Sequence, residues 1–182
     1  MTRIGLDFDG VVVYDPVRII RAPVKWFKKN VLKKNKLSFF VPKNSWQRWV
    51  WKTIFSSSIW PAKGIDLLRQ TSRNKNVEMH LITGRFDFMD AHLENWLTKY
   101  KLNGSFKSVN INRQEQPHLF KERMINELKL DYFVEDNLDV VLYLAPRVKA
   151  KILWIYNILD ANKNYGDRFP YLEKALVWIS GQ

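Results

Sequence analysis

No cysteine occurs among the 182 residues, so a disulfide framework, a thiolate zinc site and a cysteine nucleophile are all excluded. Histidine is scarce as well. The chain has 3, His80, His92 and His118, and they lack the spacing of a metal-ligand pair. His80 falls inside an apolar run and reads as a core histidine, while His118 lies close in sequence to Lys121. Apolar runs are short: each is broken by a charged residue well before the roughly 20 residues of a membrane-spanning helix. The opening stretch RIGLDFDGVVV carries two aspartates where an export signal would be apolar. A soluble, cytoplasmic protein without a membrane partner is expected. Internal repeats and low-complexity linkers are missing too, and 46% hydrophobic with 14% aromatic content supports a real core in one domain.

The most localised absence is that of negative charge. Between Pro16 and Ile65 there is no Asp or Glu, whereas Arg18, Arg21, Lys25, Lys28, Lys29, Lys33, Lys34, Lys36, Lys43, Arg48, Lys52 and Lys63 all fall there. Those residues account for the whole formal charge of +12 and leave the rest of the chain neutral. One segment therefore projects a positive field and the remainder does not.

Outside that segment, apolar runs of strand length alternate with amphipathic stretches of helix length. This is the pattern of an α/β domain with a mostly parallel sheet. Strands are expected at 3–8, 77–83, 108–112, 132–136 and 151–156. Helices are expected after Thr83-Gly84-Arg85, over 118–130, over 140–145 and over 169–180. Residues 14–64 are too many and too unusual in composition for one crossover helix, and are read as a helical insert in a core made of 1–13 and 65–182. Within it, Ile20, Val24, Phe27 and Val31 share one helical face, and a second helix from about Ser45 groups Trp46, Trp49, Val50 and Ile54. Five of the tryptophans, at 26, 46, 49, 51 and 60, belong to this insert.

Two strand ends carry candidate chemistry. Asp7 and Asp9 are two residues apart at the end of the first strand, so alternation would aim both carboxylates at one place. Close like charges repel, and their burial calls for a cation or a proton. Gly10 then permits a sharp turn, at the strand end where open α/β sheets bind ligands. The run VEDN ends a second strand with Glu135 and Asp136, and Asp139 follows one turn later. Such an oxygen-rich rim suits Mg²⁺. A plainer role, capping the next helix, is open to Asp136 or Asn137. Thr83 is likewise open to a capping role, and Lys121 to a solvated helix face.

The ordered set LDFDGVV, LITGR, a lysine on the helix before the last motif and FVEDN resembles the haloacid dehalogenase-like (HAD) superfamily of phosphatases and phosphotransferases. The match spans positions 4–139. The resemblance implies a Rossmann-like three-layer sandwich, Mg²⁺ as cofactor and an aspartyl-phosphate mechanism. Asp7 would be the nucleophile and Asp9 the general acid and base. Asp7, Asp136 and the Asp9 backbone carbonyl would hold Mg²⁺. Thr83, Gly84, Lys121 and Arg85 would contact phosphate, with Glu135 and Asp139 behind the ligands. The fourth motif reads Glu-Asp where many relatives have Asp-Asp or Gly-Asp.

The insert occupies the position of the family's C1 helical caps and looks most like that of the 5'-nucleotidase (deoxyribonucleotidase) branch. The expected partner is an anionic phosphorylated substrate, a nucleotide or another small ester. A nucleic-acid end gripped by cations and stacked on tryptophans is the alternative.

Overall fold

The computed structural model describes residues 1–14, 39, 42, 44–56, 60–113, 115–157, 160 and 162–182. The face shared by Ile20, Val24, Phe27 and Val31 lies outside the described residues. Among those described, the order is β1 (Thr2–Leu6), α1 (Ser45–Ser56), α2 (Ile65–Thr71), β2 (Val77–Phe86), a 3₁₀ turn (Asp87–Met89) and α3 (Asp90–Lys99). Next come β3 (Ser108–Asn112), α4 (Pro117–Glu127), β4 (Tyr132–Glu135), α5 (Leu138–Leu144), β5 (Lys151–Ile155), β6 (Arg168–Phe169) and α6 (Leu172–Ser180).

The strands form one six-stranded sheet in the order β3-β2-β1-β4-β5-β6, and every pairing is parallel. Chain order reverses beside β1, which places β1 and β4 side by side at the switch point where such sheets open a crevice. One face of the sheet is covered by α2, α3 and α6 through Ile65, Leu68, Leu93, Trp96, Leu172, Leu176 and their neighbours. The other face is covered by α4 and α5 through Phe120, Met124, Ile125, Val140, Val141 and Leu144. This is the expected three-layer Rossmann-like α/β arrangement. Ile4, Leu6, Val134 and Leu153 are almost wholly buried, each such side chain contributing about 1.5–3 kcal/mol of apolar burial.

Several local expectations are corrected. β1 ends at Leu6 rather than residue 8, so strand alternation does not govern Asp9. β2 runs on past Thr83 to Phe86. Its partners jump from Thr83↔Ile111 to Phe86↔Asn112, which makes Gly84 and Arg85 a bulge. A bulge re-aims the side chains it carries. Helix α2 and the short strand β6 were not expected, and β6 takes Phe169, which read as the first residue of the last helix.

Candidate active site

The rim formed by the C-terminal ends of β1, β2 and β4 gathers buried polar side chains: Asp7, Asp9, Thr83, Arg85, Glu135, Asp136 and, from α4, Lys121. Asp7 follows β1 but remains tied to the sheet, its N–H donating to the Val134 carbonyl at 2.9 Å. Beyond it the chain turns tightly. Val12 and Val13 N–H both donate to the Phe8 carbonyl, Gly10 N–H donates to Val13, and Gly10 takes a φ of 81° that a side chain would resist.

The Lys121 ammonium sits between two carboxylates, 3.0 Å from Asp7 Oδ2 and 2.7 Å from Glu135 Oε2. The other Glu135 oxygen accepts from the Asn137 N–H at 3.0 Å. Asn137, not Asp136, caps α5: its side chain accepts from the Asp139 N–H at 3.1 Å. Asp136 is buried, and its carbonyl accepts from the Trp154 indole N–H at 3.1 Å.

Asp7, Glu135 and Asp136 bring one carboxylate oxygen each to within 4.8 Å of one another. Burial pushes the Asp7 carboxyl well above its usual range; Lys121 opposes this, and Glu135, Asp136 and Asp9 add to it. Burial raises Glu135 as well, again against Lys121. For Lys121, burial pulls down, but Asp7 and Glu135 together outweigh it and leave the ammonium above its ordinary value. We take the ammonium as permanently charged and the carboxylates as short of positive charge. The four acids, Asp7, Asp9, Glu135 and Asp136, face the two cations Lys121 and Arg85. Among the described residues of the rim, when all six groups are ionised, two negative charges are left over. A divalent cation with a preference for oxygen donors fits that deficit and that donor set.

Asp9 has a separate partner. Arg85 Nε donates to Asp9 Oδ2 at 2.9 Å and Nη2 donates to Oδ1 at 2.6 Å, a two-pronged pair with both side chains buried. The guanidinium carbon lies 4.6 Å from the centroid of the Phe8 ring, and Nη1 is 3.0 Å from His92 Nδ1. Thr83 Oγ1 accepts from the Arg85 N–H at 3.1 Å, so Thr83 braces the bulge rather than capping a helix. Gly84 permits α4 to approach, since a Cβ there would meet Pro117 Cβ at 3.3 Å.

The rim therefore brings together Asp7, Glu135, Asp136 and Lys121 in one cluster and Asp9, Arg85 and Thr83 beside it. Asp139 contributes its backbone N–H to the α5 cap. His118 packs against Tyr143 and Phe39 instead, and His80 pairs with Ser108 Oγ across β2 and β3 at 2.8 Å. The Asp9–Arg85 pair was not legible in the sequence, because it depends on the bulge. Nothing in the sequence marks His92, which lacks metal-ligand spacing to the other histidines.

No protein-family model matches the sequence, and no curated protein matches it. By shape it is similar to a haloacid dehalogenase-like family hydrolase from Xanthomonas campestris, with a TM-score of 0.57 at 10% identity over 100% of this chain and 95% of that one. A protein described as beta-phosphoglucomutase from Thermotoga maritima gives 0.62 at 14% identity, over 100% and 99%. The chain has the HAD-like fold. A chain of a Pnkp1/Rnl/Hen1 complex is similar in shape over part of its length, at a TM-score of 0.52 and 12% identity, over 85% of this chain and 46% of that one.

Proposed function

We propose that the protein is a Mg²⁺-dependent phosphomonoester hydrolase working through an aspartyl-phosphate on Asp7. The observation that carries this reading is the buried Asp7 carboxylate at a switch-point rim, flanked by Lys121 at 3.0 Å and by the acids Glu135 and Asp136. Asp7 and Asp136, with the Asp9 backbone carbonyl, would hold Mg²⁺. The ion would neutralise the excess carboxylate charge and that of the phosphoryl group.

An Asp7 oxygen attacks phosphorus, and the bond to the ester oxygen breaks while Asp9 delivers a proton to that oxygen. Asp9 then takes a proton from water, which attacks the same phosphorus and breaks its bond to Asp7, releasing phosphate. Lys121 stays charged throughout and stabilises charge on the equatorial oxygens. The bulge amides and Thr83 lie at the same rim. Glu135 anchors Lys121.

The substrate in this reading is a nucleotide or another small phosphate ester chosen by the basic insert, as in the 5'-nucleotidase branch that it resembles. Hydrolysis of p-nitrophenyl phosphate with and without Mg²⁺ tests the chemistry. Asp7→Asn is expected to abolish the metal-dependent activity, and full activity in that variant would refute the nucleophile assignment.

A further inference from the structure

The orientation of Asp9 does not come from Lys121, whose ammonium serves Asp7 and Glu135. It comes from Arg85, and Arg85 is itself held on two sides. Phe8 lies against the guanidinium face at 4.6 Å. His92 meets the guanidinium edge away from Asp9, with Nδ1 at 3.0 Å from Nη1. A guanidinium can only donate, so Nδ1 must accept and the ring proton must sit on Nε2. His92 lies in the first turns of α3, and one turn further on Trp96 packs edge-on against Phe8 at a centroid distance of 5.0 Å. The same helix thus braces the guanidinium edge directly and its aromatic support from behind.

We propose that His92 is a positioning residue for the proton-transfer step: by accepting from Arg85 it fixes the guanidinium, and through it holds the Asp9 carboxylate in line with the leaving oxygen. This rests on Asp9 being the general acid and base. A neutral ring is also what the surroundings favour, since burial and the adjacent Arg85 both lower the His92 pKa, with Asp9 opposing them. Without His92, the Nη1 edge of the fork loses this acceptor, and the two-pronged grip on Asp9 is less constrained.

The test compares kcat/KM for p-nitrophenyl phosphate, whose leaving group needs little help from a proton, with that for phenyl phosphate, which is similar in shape but needs more. For His92→Leu we expect a loss of about tenfold or more on phenyl phosphate, at the low end of general-acid contributions, and less than about threefold on p-nitrophenyl phosphate. His92→Asn, which offers Oδ1 near the place of Nδ1, is expected to recover most of the loss. Equal losses on the two esters, or an Asn variant as impaired as the Leu variant, would overturn the proposal. Asp9→Asn, measured alongside, should show the same dependence on leaving group; if it shows none, the acid assignment and the role of His92 fall together. A readout independent of activity is ¹⁵N NMR of the His92 ring in the wild-type protein. An Nε2–H tautomer is expected, and an Nδ1–H tautomer or an imidazolium at neutral pH would overturn the contact even if Asp7 chemistry is intact. Inactivity of the wild-type protein on both esters with the expected tautomer would instead count against the hydrolase reading.

Discussion

Lys121 illustrates how one buried cation can hold a site together. It is the nearest positive charge to Asp7 and Glu135, at 3.0 and 2.7 Å, and removing one partner of such a group leaves charge buried without compensation. Lys121→Met should therefore destabilise the metal-free protein by about 3–5 kcal/mol. The pH dependence follows from the direction of the shifts. Asp7 and Glu135 both have folded pKa values raised above the ordinary carboxyl range, chiefly by burial. Their contribution to stability is thus fully present below that range and is lost as the pH rises through the raised values. Without the ammonium both carboxyls rise further, so as the pH climbs above the ordinary carboxyl range the thermal midpoint of Lys121→Met should fall more steeply than that of the wild type. A parallel fall in the two proteins would mean that Lys121 does not set the charge balance.

The elements decide which of these residues meet. Trp154 on β5 is fully buried and spans from its own strand to the end of β4, where its indole N–H donates to the Asp136 carbonyl. Trp154→Phe keeps most of the ring but removes the indole donor to a buried carbonyl, at a cost of about 0.5–1.5 kcal/mol. It should also loosen the Asp136 carboxylate. We expect the rise in thermal midpoint on adding saturating Mg²⁺, several degrees for a ligand at about 100 times its dissociation constant, to shrink in Trp154→Phe and to vanish in Asp136→Asn. An unchanged rise in Asp136→Asn would remove that residue from the metal site.

The same scale shows why some of the fold could be read from the sequence and some could not. The strand at 132–135 is an apolar run closed by an acid and that at 108–112 alternates polar with β-branched residues, and alternation with helices implied parallel pairing. The acidic ends of β1 and β4 stood out because carboxylates seldom close buried strands without a task. Arg85 was visible only as a neighbour of Thr83. Its swing to Asp9 depends on two residues of β2 being skipped in the pairing with β3, which no periodicity announces. Strand β6 is two residues long, too short for any pattern, and α2 has seven residues, too few turns for a helical period to stand out.

At the scale of the molecule, the insert and the rim bear on each other through position and charge. Tyr14 N–H donates to the Trp60 carbonyl and Ala62 N–H to the Val12 carbonyl, which holds the two ends of the expected insert side by side. Phe39 exchanges two bonds with the Gln116 side chain, at 2.9 and 3.3 Å. In α1, Arg48 and Lys52 lie 5.6 and 6.0 Å from the Phe88 ring centroid. These core contacts follow β1, β3 and β2, so all fall on the rim that carries the acids. On α1 the side chains of Trp46 and Trp49 are 66% and 68% exposed, so the expected grouping of these two with Val50 does not bury them.

The acid-rich rim would repel an anionic ester, and the insert's unbalanced cations oppose that repulsion over distances set by screening, about 10 Å at 0.1 M salt. We therefore expect kcat/KM for a nucleotide monophosphate to fall several-fold as NaCl rises from about 20 to 300 mM, with kcat nearly constant, because steering acts on encounter. Arg48→Gln with Lys52→Gln should flatten that slope while leaving p-nitrophenyl phosphate turnover at high salt unchanged. A slope that stays as steep in the double variant would place the steering elsewhere on the insert. A phosphorylated oligonucleotide hydrolysed faster than the mononucleotide, with a much steeper salt slope, would assign the insert to a polymer end instead of a small ester.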